Sequence, residues 1–309
     1  RVPNRLTQDF RFGLSTSVAQ NFDGDLLDLQ LMAGGIQRWA NFWGSSTTLL
    51  LSPEHDDDQL TRGGPVARAP GSFSVHQSVS TDQRRSQSLT VDLSYSNDSR
   101  GGWWMVYGLD VETRPSSALE LSIGPSFRRA HVPAQFVREV EDELATHTYG
   151  SRYVFAELDQ RTLSLETRVS WAFSPRLTLQ LFLHPLVASG DYSRFMELRQ
   201  PREWSWSVYG EDEGTVTSQA NAFSVDPDGP GPAEAFELRN PDFGLRSLRG
   251  NAVLRWEYRP GSTLYLVWQQ RRRHQVADGS FDPGRDLDAL FRTSPENVFA
   301  LKVSYWWGG

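Results

Sequence analysis

Cysteine is absent from all 309 residues, which removes any disulfide framework, thiolate nucleophile or cysteine-based metal cluster. Long apolar runs are missing too. No stretch of roughly 18 or more apolar residues occurs, so a transmembrane helix is excluded. Aliphatic runs of the kind that feed a soluble core are scarce, although aromatic residues reach 12% of the chain, with 11 Trp and 17 Phe. There is no excess of positive charge, and the net charge of −7 argues against general nucleic-acid binding. The chain opens at Arg1 with neither an initiator Met nor a signal peptide. The expectation is a processed or truncated piece of a longer protein, with export inferred from the strand pattern alone.

What is present is alternation. From Leu163 to Trp171 the odd positions are Leu, Leu, Thr167, Val and Trp, and the even positions are Ser, Glu, Arg and Ser. A strand places successive side chains on opposite faces, so such a segment is greasy on one side and wet on the other. Strands of this length and pattern are those of large antiparallel barrels, with lipid outside and water inside. The same reading reconciles many aromatics with a polar mean hydropathy, because only every second strand residue has to be apolar.

The pattern predicts twelve strands near 8–18, 25–33, 36–52, 71–80, 86–96, 101–113, 117–128, 152–173, 176–189, 247–258, 262–272 and 296–307. Their connections fall into two classes. Short turns are expected at Gly34-Gly35, Thr81 to Arg85, Arg114-Pro115-Ser116, Ser174-Pro175 and Arg259-Pro260-Gly261. Long loops are expected near 53–70, 129–151, 190–246 and 273–295. With few lapses the classes alternate, as they must when strands run up and down between a turn rim and a loop rim. In outer-membrane barrels the short turns are periplasmic and the long loops external. The expected fold is therefore a single all-β domain over 1–309. It is an antiparallel transmembrane β-barrel in a bacterial (Gram-negative-type) outer membrane, with both termini periplasmic. The last strand ends in Tyr305-Trp306-Trp307, where an aromatic girdle belongs, and two glycines follow it.

Several segments carry a resemblance to a known family. They include Arg62-Gly-Gly-Pro65, Ser80-Thr-Asp-Gln-Arg84, Leu144-Ala-Thr-His-Thr-Tyr-Gly150 and Tyr153-Val-Phe-Ala-Glu-Leu-Asp159, with Ser189-Gly-Asp-Tyr192 and Asn240-Pro-Asp-Phe243. The densest stretch runs from Ser247 to Gln270, and Arg285 to Phe291 and Asn297 to Tyr305 complete the set. Together they resemble the C-terminal barrel region of bacterial domain-of-unknown-function family 5916. The resemblance implies an N-terminal carbohydrate-binding module similar to family 9 upstream, and the twelve strands then become an arc of a larger barrel. It supplies no catalytic residues.

Site chemistry is sparse. The six histidines are scattered, with no His-x-x-x-His pair, and no Gly-x-Ser-x-Gly elbow is present. Asp226 and Asp228, in Asp226-Pro-Asp-Gly-Pro-Gly231, resemble the opening of a calcium loop, but the closing Glu is absent and an ordinary Pro/Gly loop is the stronger reading of the residues. No other cofactor is expected. The acidic run Glu54-His-Asp-Asp-Asp58 reads as a solvated loop or a weak cation site. Strand parity assigns Glu166, Arg168, Arg255, Glu257, Gln269, Arg271 and Lys302 to the lumen, where structural cross-strand pairing is the simplest use of mixed charge. In the long loop, Trp204, Trp206 and Tyr209 serve either as a ligand-binding surface or as a local core.

Three functions follow as expectations. The first is a non-enzymatic outer-membrane barrel for uptake or surface binding of a ligand, in contact with outer-membrane lipid, the ligand glycan-related if the companion module is a guide. The second is a scaffold docking another envelope protein, and the third a barrel-embedded hydrolase.

Overall fold

The computed structural model of the chain describes residues 6–219 and 221–307. Gly308 and Gly309 lie outside the described residues. Twelve strands form one antiparallel up-and-down sheet: β1 (Thr7–Gln20), β2 (Leu26–Trp39), β3 (Gly44–Ser52), β4 (Ser72–Ser80), β5 (Gln87–Asp98) and β6 (Trp103–Ser116). It continues through β7 (Leu119–Glu141), β8 (Ser151–Ser174), β9 (Leu177–Leu198), β10 (Phe243–Arg259), β11 (Ser262–Val276) and β12 (Glu296–Ser304). Each strand pairs with its neighbours in sequence, and a short segment, Trp206–Val208, adds to β9. β1 and β12 end the sheet and do not pair with each other, so the sheet is open. Among the described residues one α-helix, α1 (Pro283–Arg292), sits in the last long connection, and a 3-10 turn, Thr146–Thr148, in the loop after β7. No helix among the described residues is long and apolar enough to cross a membrane.

Every residue opposite another in the ladder shares its face, so the register carries parity across the whole sheet. One face collects Phe10, Phe12 and Leu14 on β1, Leu49 and Leu51 on β3, Leu93 and Tyr95 on β5, and Tyr107 and Leu109 on β6. On the later strands it collects Val169, Leu181, Ala252, Trp268 and Phe299, which lie along one ladder line. These side chains are not buried within the chain: Leu14 is 74% exposed, Phe12 62%, Leu301 63% and Phe299 76%. A soluble sheet would have a second layer over this face, and exposed apolar surface on this scale marks an interaction surface. Aromatics gather at its turn end, where Trp171 lies 4.3 Å from Phe173, and Trp256, Tyr258 and Tyr305 to Trp307 stand alongside.

The connections divide by rim. Turns at 40–43, 81–86, 117–118, 175–176 and 260–261 lie at one end; the loops 53–71, 142–150, 199–242 and 277–295 leave from the other, with shorter ones at 21–25 and 99–102. Several boundaries differ from the sequence reading. Arg114-Pro115-Ser116, expected as a turn, ends β6, and the chain reverses at 117–118. Gly34 and Gly35 are not a turn: they lie inside β2, paired with Gly13 and Phe12 on one side and Thr48 and Thr47 on the other. The chain reverses at 40–43 instead, where Asn41 Oδ1 accepts from the Trp43 amide and Phe42 takes φ 66°. The loop expected at 129–151 shrinks to 142–150, because β7 continues to Glu141. The loop expected at 190–246 becomes 199–242, because β9 continues to Leu198 and β10 starts at Phe243.

Among the described residues these extensions place the well-packed core at the loop rim. β7, β8 and β9 are 23, 24 and 22 residues long. About 9–11 residues suffice to cross a bilayer core. Their upper parts are covered on both sides. Tyr153 and Phe155 face a cluster with Ala67, Met196, Leu198 and Val208, while Val154 and Ala156 between and after them face Phe195, Tyr209, Val225 and Leu238. The 53–71 loop supplies Leu60 and Ala67 to the first cluster, and a three-stranded sheet (Thr215–Gln219, Ala222–Asp226, Phe236–Arg239) supplies the second. Gly64 meets Tyr153 so closely that a Cβ there would lie 2.2 Å from its ring.

Candidate functional site

The second face of the sheet is polar, and the register places Glu166, Arg168, Arg255, Glu257, Gln269, Arg271 and Lys302 together on it. Arg168 is opposite Ser122 and Phe182, Phe182 opposite Asn251, Asn251 opposite Gln269; Arg255 is opposite Tyr265, and Tyr265 opposite Lys302. Glu166, Glu257 and Arg271 are two residues along their strands from these positions and so face the same way. Toward β3 to β5 the face becomes a hydroxyl field, in which Ser74 donates to Ser96 over 2.7 Å. Ile36, Met32 and Val298 are apolar exceptions on this side.

Four arginines on this face pair with a carboxylate on their own strand. Arg11 pairs with Asp9 at 3.2 Å, Arg168 with Glu166 at 2.7 Å, Arg255 with Glu257 at 3.4 Å, and Arg114 with Glu112. Each carboxylate is two residues from its arginine on the same strand, where period-two geometry makes them same-face neighbours. The Glu-x-Arg spacing is legible in the sequence. Arg249, Arg271 and Arg273 have no acidic residue at that spacing.

At the loop rim the three aromatic candidates pack into or against the local clusters. Tyr209 is 4% exposed and donates to Glu197 Oε2 over 2.9 Å; burial and the Glu197 carboxylate push its hydroxyl far above the ordinary tyrosine range. Trp206 packs on Phe155 with ring centres 4.7 Å apart and on Trp204 at 5.2 Å. Arg152 joins this core: its Nε donates to Asp142 Oδ2 over 2.6 Å and its Nη1 to both Glu197 oxygens over 2.7 and 2.8 Å. On the other side, α1 is started by Asp282, whose Oδ1 accepts from the Arg285 amide, with Pro283 at its first turn. Asp286 then forms a buried pair with Arg246 at 2.8 Å. Both α1 signals were present in the sequence, within a segment read only as loop.

The acidic candidates serve their own loops. Asp226 Oδ1 accepts from the Gly229 amide and Asp228 Oδ2 from the Ala233 amide. Asp228 Oδ1 is buried without a hydrogen-bond partner, but no group of three His, Asp or Glu side chains among the described residues could hold a metal ion there or elsewhere. In the run 54–58, Asp56 pairs with Arg68 and Arg202, and Asp57 caps the amides of Gln59 and Leu60. One serine–histidine contact exists on the polar face, His76 Nδ1 at 3.0 Å from Ser94 Oγ, with His76 tilted against Trp104. Among the described residues no carboxylate pairs with that imidazole.

The family described as "Domain of unknown function (DUF5916)" matches the chain over residues 3–307. No curated protein matches it. Among solved structures the chain is similar to the crystal structure of the siderophore receptor PiuA from Acinetobacter baumannii, with a TM-score of 0.52 at 9% identity. The superposition covers 96% of this chain and 46% of the receptor, so the chain spans about half of that protein's length. At this identity the likeness is one of fold.

Proposed function

The chain belongs to the DUF5916 family, and on that premise we propose that it forms a wall of an outer-membrane β-barrel that takes up, or binds at the surface, a ligand. The single observation that carries the reading is the two-faced sheet. One face is an exposed apolar band and the other an exposed polar face, and every long loop leaves from one end. Such a sheet is stable only if hydrocarbon covers the first face and water the second. The turn rim is then periplasmic and the packed loops external. The edges of β1 and β12 cannot stay unpaired in lipid, because each open amide or carbonyl there costs several kcal/mol. Further strands complete the wall on both sides in this reading. The fold-level likeness to a siderophore receptor, over about half of that receptor, supports it.

The absence of cysteine makes the test direct, since any introduced thiol is unique. Adjacent positions are compared in native membranes carrying the full-length protein, using a membrane-impermeant maleimide. Ser170→Cys and Gln180→Cys, on the polar face, are expected to react. Val169→Cys and Leu181→Cys are expected to react only after detergent dissolves the bilayer. Equal labelling of both parities in intact membranes would overturn the reading.

A further inference from the structure

Four arginines on the polar face pair with a carboxylate two residues away on the same strand; near the β12 edge Arg249, Arg271 and Arg273 do not. Arg249 on β10 stands directly opposite Arg271 on β11, and Arg273 is the next same-face residue along β11. Their same-strand neighbours are Ser247, Asn251, Gln269 and Gln275, all uncharged. His184 on β9 stands opposite Arg249, so no acid approaches from that side. Glu296 is opposite Arg271 on β12; among the described residues no ion pair joins it, or any other carboxylate, to Arg249, Arg271 or Arg273. Like charges directly opposite one another destabilise a ladder. Arg11, Arg114, Arg168 and Arg255 each have a paired carboxylate two residues away; at these positions the sequence places glutamine, asparagine and serine instead.

Beside the arginines is a depression of about 470 Å³, lined by Phe182, Arg249, Asn251, Gln269, Arg271 and Glu296. That size suits a small molecule rather than a folded segment. Asn251 Oδ1 is buried there without a hydrogen-bond partner.

We propose that Arg249, Arg271 and Arg273 form a binding site on the inner face for a compact, multiply charged anion bearing carboxylate or phosphate groups. Guanidinium groups match both kinds of oxyanion through paired N–H donors, and a bound anion removes the mutual repulsion of the three. Phe182 closes one end of the depression with an apolar wall, and Gln269 offers amide hydrogen bonds. The site rests on the reading of this face as a water-filled interior.

The test is isothermal titration of the full-length protein in detergent with citrate, with inorganic pyrophosphate and, as a cationic control, with spermidine. One or both anions are expected to bind at one site per chain, which of them binds distinguishing carboxylate from phosphate, and spermidine is not. The double variant Arg249→Gln/Arg271→Gln is expected to weaken binding by at least about tenfold, and Glu296→Gln, which removes the carboxylate lining the depression, to tighten it. Arg168→Gln, at an arginine already paired, is expected to leave affinity unchanged. The proposal falls if neither anion binds, if Arg168→Gln weakens binding as much as the double variant, or if Glu296→Gln has no effect. A normal labelling contrast between the two faces together with no anion binding would sink this site and leave the barrel reading intact.

Discussion

Arg202 Nη1 stands 2.5 Å from Asp25 Oδ1, an ion pair between residues 177 apart in sequence, with Asp56 Oδ2 a further partner at 3.3 Å. The pair carries the longest connection across the loop rim, from the end of β9 to the start of β2. Arg202 is held for this role by its left-handed backbone, φ 60°, and by its amide, which donates to Val66 O. Hydrogen bonds from Arg202 and then Asn21 hold the Asp25 carboxyl below its ordinary value, against a smaller desolvation effect. The lowered group stabilises the clasp above its unfolded value and loses that contribution as pH falls through the folded one. Arg202→Gln is expected to speed hydrogen exchange in 21–25 and 199–205 at neutral pH while the wall strands keep their protection. Wild type is expected to approach the variant as pH falls below about 4. Unchanged exchange in both segments would refute the clasp.

Arg152 is expected to matter far more. Its side chain is 10% exposed, with Asp142 and Glu197 nearly as buried, and removing it leaves two uncompensated carboxylates. Arg152→Met should destabilise the loop-rim body by roughly 3–5 kcal/mol. Burial raises the Asp142 carboxyl, but the Arg152 hydrogen bond and the Leu144 amide outweigh it and hold the group low. The pair therefore contributes fully above the unfolded carboxylate value and weakens in acid. Denaturant unfolding, followed by fluorescence of the Trp204 and Trp206 region, measures the loss; a variant with wild-type midpoint would contradict this account.

Gly64 is a packing requirement. A methyl at this position meets the Tyr153 ring and hydroxyl at 2.2–2.5 Å, and Tyr153 is buried and cannot swing away. Gly64→Ala should cost about 1–3 kcal/mol by overpacking and expose the 53–71 loop to protease. Gly13→Ala, where a Cβ has nothing within 4 Å, is the matched control. Equal protease resistance of both variants would show that the loop docks otherwise.

The apolar band gives a depth-dependent prediction. Leu181 and Gln180 are adjacent on β9 and face opposite sides. Leu181→Arg should cost about 2–4 kcal/mol for folding into a bilayer, as for a cation near the midplane. Gln180→Arg should be tolerated. Refolding into lipid vesicles under urea separates the two; similar costs at both positions would mean that lipid does not contact this face.

The twelve strands, their up-and-down order and the gathering of long loops at one rim were all legible in the sequence, because a period-two pattern is local and survives any error in partner. So was the shared face of Glu166, Arg168, Arg255, Glu257, Gln269, Arg271 and Lys302, which follows from parity alone. Boundaries were less legible. Gly34-Gly35 is compatible with a turn or a strand, and only the ladders on both sides show that β2 runs through it. β7 and β9 extend past their expected ends because tertiary layers cover both faces there. Alternation disappears when both faces are apolar, and Val154-Phe155-Ala156 then carries no period to read.

Which aromatics are buried, which arginine finds which carboxylate at long range, and where three arginines are left facing one another are matters of tertiary structure. Those relations depend on residues brought together from strands and loops up to 177 positions apart, as Arg202 and Asp25 are. Sequence determined the faces of this sheet, since side-chain direction along an extended chain is fixed by covalent geometry. Tertiary structure decided what each face touches, since contact depends on register, loop docking and packing across the rim.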